Sequence, residues 1–360
     1  MKYTKDQIAV LKLLSVESIG QRQRESILSL TEHPAELFSA PARFAEGLTA
    51  IGADLFVKIS DLAESFDEDR FLRYLESINA VALFQGEKGY PQSLSVLEDA
   101  PLVLFCRGDV SLLEGENVAV VGTRAPTRYG RDVTELFAKE LVGVGFTVVS
   151  GLARGVDAIA HRTALDNDGK TIAVLGCGVD KVYPAENKEL YDRIAEKGLL
   201  VSEFFPGSEP LAFHFPIRNR VISALSKGIL VTEAGAKSGT LITVTDALEQ
   251  GKDVFIVPGN IFSNASKGAN EMLHNPQCMI ATDPSDVLSF YGKNAEKTEP
   301  DPHQLTTEEV LIYSALQDED KHFEQLLEIT GLSMGDLMAT LTKLEVLGVI
   351  KKYPGNYYGI

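Results

Sequence analysis

Hydrophobic positions along the chain fall into three regimes. From Lys5 to about Ser77, apolar residues such as Ile8, Leu11 and Leu14 recur at helical spacing, and no run alternates with period two. This predicts a series of short helices. Between Val81 and Gly108, short apolar segments broken by Pro91 and Pro101 predict strands and turns that lead into a larger domain. The second regime is regular. Apolar, β-branched runs at Val118 to Val121, Thr147 to Val149, Ile172 to Leu175, Leu199 to Val201, Ile229 to Val231 and Val254 to Val257 are separated by helical patterns. Continuous apolar runs mark strands buried on both faces, so the rhythm predicts a Rossmann-like, doubly wound, mostly parallel α/β sheet, its nucleus spanning about Glu116 to Thr282.

A polar stretch over 292–303 predicts a linker. Beyond it, helical segments at Thr307 to Leu316, His322 to Thr330 and Ser333 to Leu347 precede a hairpin turning at Pro354-Gly355-Asn356, a winged-helix-like pattern. Its third helix offers only Lys343 as a base against Asp336 and Glu345, which favours a protein contact over DNA. At the other end, Gly20 separates two helices, the second at Gln23 to Leu30. The pair reads as a SAM-like or helix-hairpin-helix unit, or else as a plain packing turn with only Arg22 and Arg24 nearby. The predicted domains are 1–78, 79–291, the linker 292–303, and 304–360.

The chemistry is expected where the strands end. In an open α/β sheet, ligands bind outside the carboxyl ends of the strands, against helix N-termini. There the sequence places Gly122-Thr123-Arg124, Ser150-Gly151-Leu152-Ala153-Arg154-Gly155, Gly176-Cys177-Gly178, Ser238-Gly239-Thr240 and Pro258-Gly259-Asn260. This polar rim suits phosphate. Arg124, Arg154, Arg218, Arg220 and Lys237 are its basic members, and Phe213 to Arg220 mixes aromatic rings with Arg218, Asn219 and Arg220, a mixture that suits single-stranded nucleic acid. The competing expectation makes Phe213 and Phe215 core residues and pairs Arg220 with Glu233. Asp157 and His161, four apart on one helix, share a face that could form a metal or acid–base pair; with no third ligand at matching spacing, they are expected instead to hydrogen-bond each other or to place Asp157 at the helix dipole.

Composition sharpens the picture. The net charge of −17 excludes a broadly basic surface, and divides into −7 over 1–114, −4 over 115–290 and −6 over 291–360. Any grip on a polyanion must therefore be local. Three scattered cysteines suggest neither disulfides nor zinc, and the absence of an apolar leader or a long apolar run predicts a cytoplasmic protein with no membrane contact.

These motifs resemble the DNA-processing protein A family, also called Smf, over nearly the whole chain. The resemblance is carried by PLVLFCRG at Pro101 to Gly108, VAVVGTRAPTRYG from Val118, SGLARGVDAIAH from Ser150, FPIRNRVISALS from Phe215 and EAGAKSGTLITVTDALEQGKDVFIVPG from Glu233. It implies a recombination mediator, without catalytic activity or cofactor, that binds and shields incoming single-stranded DNA during natural transformation. It also implies a homodimer through the Rossmann-like domain that helps load RecA. The DNA-binding residues it implies are Gly122, Thr123 and Arg124 of the family's Gly-Ser-Arg turn, with Thr for Ser, and Phe215, Pro216, Arg218, Asn219 and Arg220 of FPxRNR. A phosphoribohydrolase-like enzyme is the alternative, but Ala234 to Thr243 lacks its glycine pair and catalytic Glu; a nicotinamide enzyme would need G-x-G-x-x-G after the first strand.

Overall fold

The computed structural model describes residues 3–16, 18–294, 305–346 and 349–360. It forms two compact units, Met1–Ala295 and Glu296–Ile360. The predicted linker lies largely outside the described residues.

The first unit opens with helices that include Lys5–Leu14, Gln21–Leu28 and Leu55–Ser65. The first has two apolar sides: Ala9 and Leu13 pack with Ile27, Leu37 and Leu48 of the helical cluster, while Ile8, Leu11 and Leu14 pack with Phe105 and Leu200 of the sheet. That second side fixes the helical segment onto the sheet. Gly20 caps Gln21–Leu28 in ordinary extended backbone, and open space surrounds the position a side chain would occupy.

Nine strands follow: β1 Ala80–Phe84, β2 Val103–Gly108, β3 Asn117–Val121, β4 Thr147–Ser150, β5 Lys170–Val174, β6 Leu199–Ser202, β7 Gly228–Val231, β8 Asp253–Ile256 and β9 Cys278–Ile280. Their spatial order is β1-β2-β6-β5-β4-β3-β7-β8-β9. β1 and β2 run antiparallel to each other and β2 to β6, and the rest of the sheet is parallel. Side chains alternate as the apolar runs require: Val118 and Val120 meet Phe137 and Leu141 on one face, and Ala119 and Val121 meet Val221 and Val244 on the other. The chain winds outward from β3 to β6, then returns to place β7 on the opposite side of β3. The crevice between the carboxyl ends of β3 and β7 is thus the topological switch point.

The loop after β4 is fastened from below. The Gly151 and Ala153 N–H groups donate to Asp157 Oδ2 (3.1 and 3.3 Å), and Leu152 N–H donates to His161 Nε2 (3.3 Å). The Thr171 hydroxyl donates to the Val148 carbonyl (2.7 Å), so it accepts from His161 Nδ1 (2.6 Å), which assigns the proton to that nitrogen. The expected Asp157–His161 hydrogen bond does not form, because each side chain is committed to the loop's backbone. Burial draws His161 down to about 3 and raises the Asp157 carboxyl above its usual range. Gly155 ends the loop at φ +73, where an added Cβ would lie 2.4 Å from the Thr123 carbonyl oxygen.

In the second unit, helices Thr307–Leu316, Phe323–Thr330 and Met334–Val346 enclose Ile312, Leu326, Leu341 and Leu344. The hairpin strands Lys351–Tyr353 and Tyr357–Gly359 pair as the turn signal predicts, and Lys321–His322 adds a third strand beside Tyr357–Gly359. The three cysteines are free and buried, and no helix among the described residues is long and apolar enough to cross a membrane.

Two outcomes test this packing. Gly155→Ala combines an unfavourable φ with a backbone collision and should lose about 2 kcal/mol or more, whereas Gly20→Ala should stay within about 0.5 kcal/mol. Thermal melts of the two variants check the contrast. For His161, the folded protein resists a proton that the unfolded chain binds between about pH 6.5 and 3, so its contribution is present at neutral pH and lost as pH falls. By pH 5 the loss is about 2 kcal/mol. Urea melts at pH 7 and pH 5 should show a shallower decline for His161→Gln than for the wild type; equal declines would contradict the assignment.

Candidate nucleic-acid interface

At the switch point lies an open cleft of about 770 Å³. Gly122, Thr123 and Arg124 after β3 form one wall, and Gly235, Lys237, Ser238, Gly239 and Thr240 after β7 form the facing lip. Phe215, Pro216, Arg218 and Asn219 enter from the helix His214–Ala224, with Ala153, Asp157 and Tyr183 between. Three of the lining side chains are basic and one, Asp157, is acidic.

The wall after β3 is held by Glu233, a buried residue just beyond β7. Its carboxylate accepts from Thr127 N–H (2.8 Å) and the Thr127 hydroxyl (2.7 Å), and its carbonyl accepts from Thr123 N–H (2.8 Å). Thr127 also caps the helix Arg128–Gly143. A carboxylate of the protein therefore already occupies this helix N-terminus, the position where the sequence reading expects phosphate. The Thr123 hydroxyl accepts from Ala125 N–H (3.3 Å). What remains outward from this turn is the side chain of Arg124, exposed and 5.8 Å over the Phe215 ring, which in turn meets Tyr183 at 5.4 Å between centroids. Lys237 is likewise exposed on the lip. Neither base forms an ion pair with the described residues.

The other expected site residues separate. Arg218 lines the cleft but is buried, donating to the carbonyls of Gly151 (2.6 Å) and Val174, so it ties together the loops after β4 and β5. Gly151 must lack a side chain, since a Cβ there would sit 2.4 Å from the guanidinium. Burial lowers Arg218 to about 10, which leaves it charged at neutral pH. Ser150 and Gly155 belong to the same framework; Ser150 is buried and donates to the Val120 carbonyl (2.7 Å). Arg154 faces a small adjoining hollow and forks onto Glu186 (2.5 and 2.7 Å). Ser238 and Thr240 satisfy each other, hydroxyl to hydroxyl at 2.9 Å.

Arg220 lies outside the cleft. Residues two apart on a helix point about 200° apart, so Arg218 and Arg220 cannot serve one groove. Arg220 pairs with Asp99 (3.0 Å) and Glu203 (2.6 Å), not with Glu233, and lines a second cleft beside the N-terminal helices. Burial pushes Glu203 up to about 7 against the pull of Arg220. Phe213 is exposed there and packs on His214, whereas Phe215 belongs to the switch-point cleft; neither is a sheet-core residue. Sequence reading missed Glu233, Thr127 and Tyr183 as site-forming residues. The available signal for the first two was a carboxylate immediately after a buried strand facing a Thr-x-x-Gly helix start.

Comparison with known proteins identifies the family. The family model described as DNA recombination-mediator protein A matches residues 81–292, and a DprA winged helix domain matches 296–356. Protein Smf of Synechocystis is 33% identical over 85% of this chain and 87% of its own, and DNA processing protein DprA of Streptococcus pneumoniae is 45% identical over 56% and 71%. The solved Streptococcus pneumoniae structure superposes with a TM-score of 0.69 at 35% identity, covering 80% of this chain and 98% of the other. The Helicobacter pylori DNA processing protein A, solved for its single-stranded DNA binding mode, superposes with a TM-score of 0.55 at 33% identity over 59% and 96%. On this extent of agreement, the chain belongs to the DNA recombination-mediator protein A family, whose members are named DprA or Smf.

Proposed function

We propose that the protein binds single-stranded DNA along the switch-point cleft and acts as a cytoplasmic recombination mediator in natural transformation, protecting incoming DNA and helping to load RecA, without chemistry of its own. The observation that carries this reading is the pair of unpaired bases, Arg124 over the Phe215 ring and Lys237 on the facing lip, in a net-basic cleft of a chain with charge −17. Cation and aromatic face together suit a backbone with unstacked bases. The single-strand binding mode of the Helicobacter pylori relative supports the ligand. The only carboxylate among the described lining residues, Asp157, is buried and engaged by two backbone N–H groups, which favours a binding role over hydrolysis.

Partner proteins suit the rest of the surface. The C-terminal unit exposes Met334 and Met338 on its third helix, and Lys343 is held by buried Glu309 at 2.6 Å, an arrangement suited to protein contact. At the sheet edge, β9 leaves Ile280 exposed, with Phe290 exposed on the helix that follows, and this edge is our candidate homodimer surface.

Arg124→Ala should weaken binding to a 30-nucleotide single strand by about tenfold to a hundredfold and reduce the salt slope by about 0.7, with wild type preferring single over double strands. Equal binding and equal slopes in a mobility-shift titration would contradict the reading. Arg220→Ala should instead destabilise the fold by about 1–3 kcal/mol by removing the hydrogen bonds to Asp99 and Glu203, while the salt slope of the folded fraction stays at the wild-type value.

A further inference from the structure

The loop after β8 carries the most exposed large apolar pair among the described residues: Ile261 is 81% and Phe262 91% accessible. Such exposure is costly for adjacent apolar side chains, yet the backbone beneath them is pinned. Asn270 bonds Gly259 through both its amide nitrogen and oxygen (3.0 Å each), Tyr129 donates to the Pro258 carbonyl (2.6 Å), and Asn260 Oδ1 accepts from Phe262 N–H (2.9 Å). The backbone around the ring is thus tied down while the ring itself points to solvent.

It also abuts the cleft. Ala269 N–H donates to the Ala234 carbonyl (2.9 Å), and a side-chain carbon on Gly235 would meet the Asn264 carbonyl oxygen at 3.2 Å, so the loop backs the lip that carries Lys237. Charge narrows the occupant. Residues 234–245 and 254–270 contain Lys237 and Lys267 and no acidic residue, in a chain with 51 Asp and Glu against 34 Lys and Arg. An exposed ring on a segment that carries cations and no carboxylate of its own suits a polyanion that exposes flat apolar faces.

We propose that Phe262, with Ile261 beside it, is a stacking platform for a base of the single strand after its backbone passes Lys237. This extends the proposed DNA-binding reading and rests on it. The cleft then holds phosphates and the loop tip holds a base. Because every base offers a π-face, the platform adds affinity without sequence preference.

The test titrates the full chain with a 30-mer of thymidine and with a 30-mer of abasic sugar-phosphate, at several salt concentrations. Phe262→Ala should weaken binding to the thymidine strand about tenfold at every salt, with an unchanged salt slope, and Phe262→Trp should bind like wild type. On the abasic strand, wild type and Phe262→Ala should bind equally. A Phe262→Ala variant that binds the thymidine strand like wild type, or that loses the same factor on the abasic strand, overturns the assignment. So does one that changes only self-association or capture of a protein partner. If wild type fails to bind the thymidine strand, the DNA-binding reading itself falls; if wild type binds and only the Phe262 contrast is missing, the platform alone falls.

Discussion

The buried carboxylate of Glu233 sets the terms for the rest of the site. By accepting from both the N–H and the hydroxyl of Thr127, it fixes the turn after β3 and satisfies the start of the following helix. In many doubly wound sheets that helix start is the phosphate seat. Here a carboxylate of the protein stands at that helix start, so a phosphate arriving there would meet like charge. Affinity for an anion then depends on side chains that reach past the turn, and Arg124 is the one so placed. A site built this way has no closed phosphate cradle; it is an open trough lined by a cation and rings, a geometry suited to a continuing strand.

A second constraint is helical geometry. The Arg-Asn-Arg segment reads in sequence as one basic cluster, but in the helix His214–Ala224 its two arginines diverge. Arg218 goes down to the loop carbonyls after β4 and β5, and Arg220 goes outward to Asp99 and Glu203. One arginine shapes the trough and the other secures the helix to the segment that precedes β2. Basic residues in the motif thus divide into those that build and those that remain free. The acidic excess of the chain is compatible with this division, since the carboxylates nearest the trough, Asp157 and Glu233, are buried and engaged by backbone or hydroxyl donors.

The sheet was legible because strands buried on both faces leave continuous apolar runs, and six of those runs fall within a residue or two of β3 to β8. Strand β9 was not, since Cys278–Ile280 is three residues long and only Cys278 is buried, which leaves no run to read. The glycine-rich rim was legible as a rim. Its division into free and committed groups was not: Arg154 is tied to Glu186, Asp157 and His161 to backbone, and Ser150 to β3. Glu186 and Val120 lie on other segments, so local spacing carries no trace of them, while Asp157 and His161 turn back onto the loop just before their own helix. Glu233 was likewise opaque, because its role arises only where β7 returns beside β3.

The most direct measurement of the central claim is photocross-linking of a single-stranded oligonucleotide carrying 5-iodouracil, followed by peptide mapping on the full chain. The account predicts cross-links at Phe215 and Tyr183, the rings beside Arg124 in the switch-point cleft. Cross-links confined to Phe204 and Phe213 in the second cleft, or to residues 305–360, would contradict it.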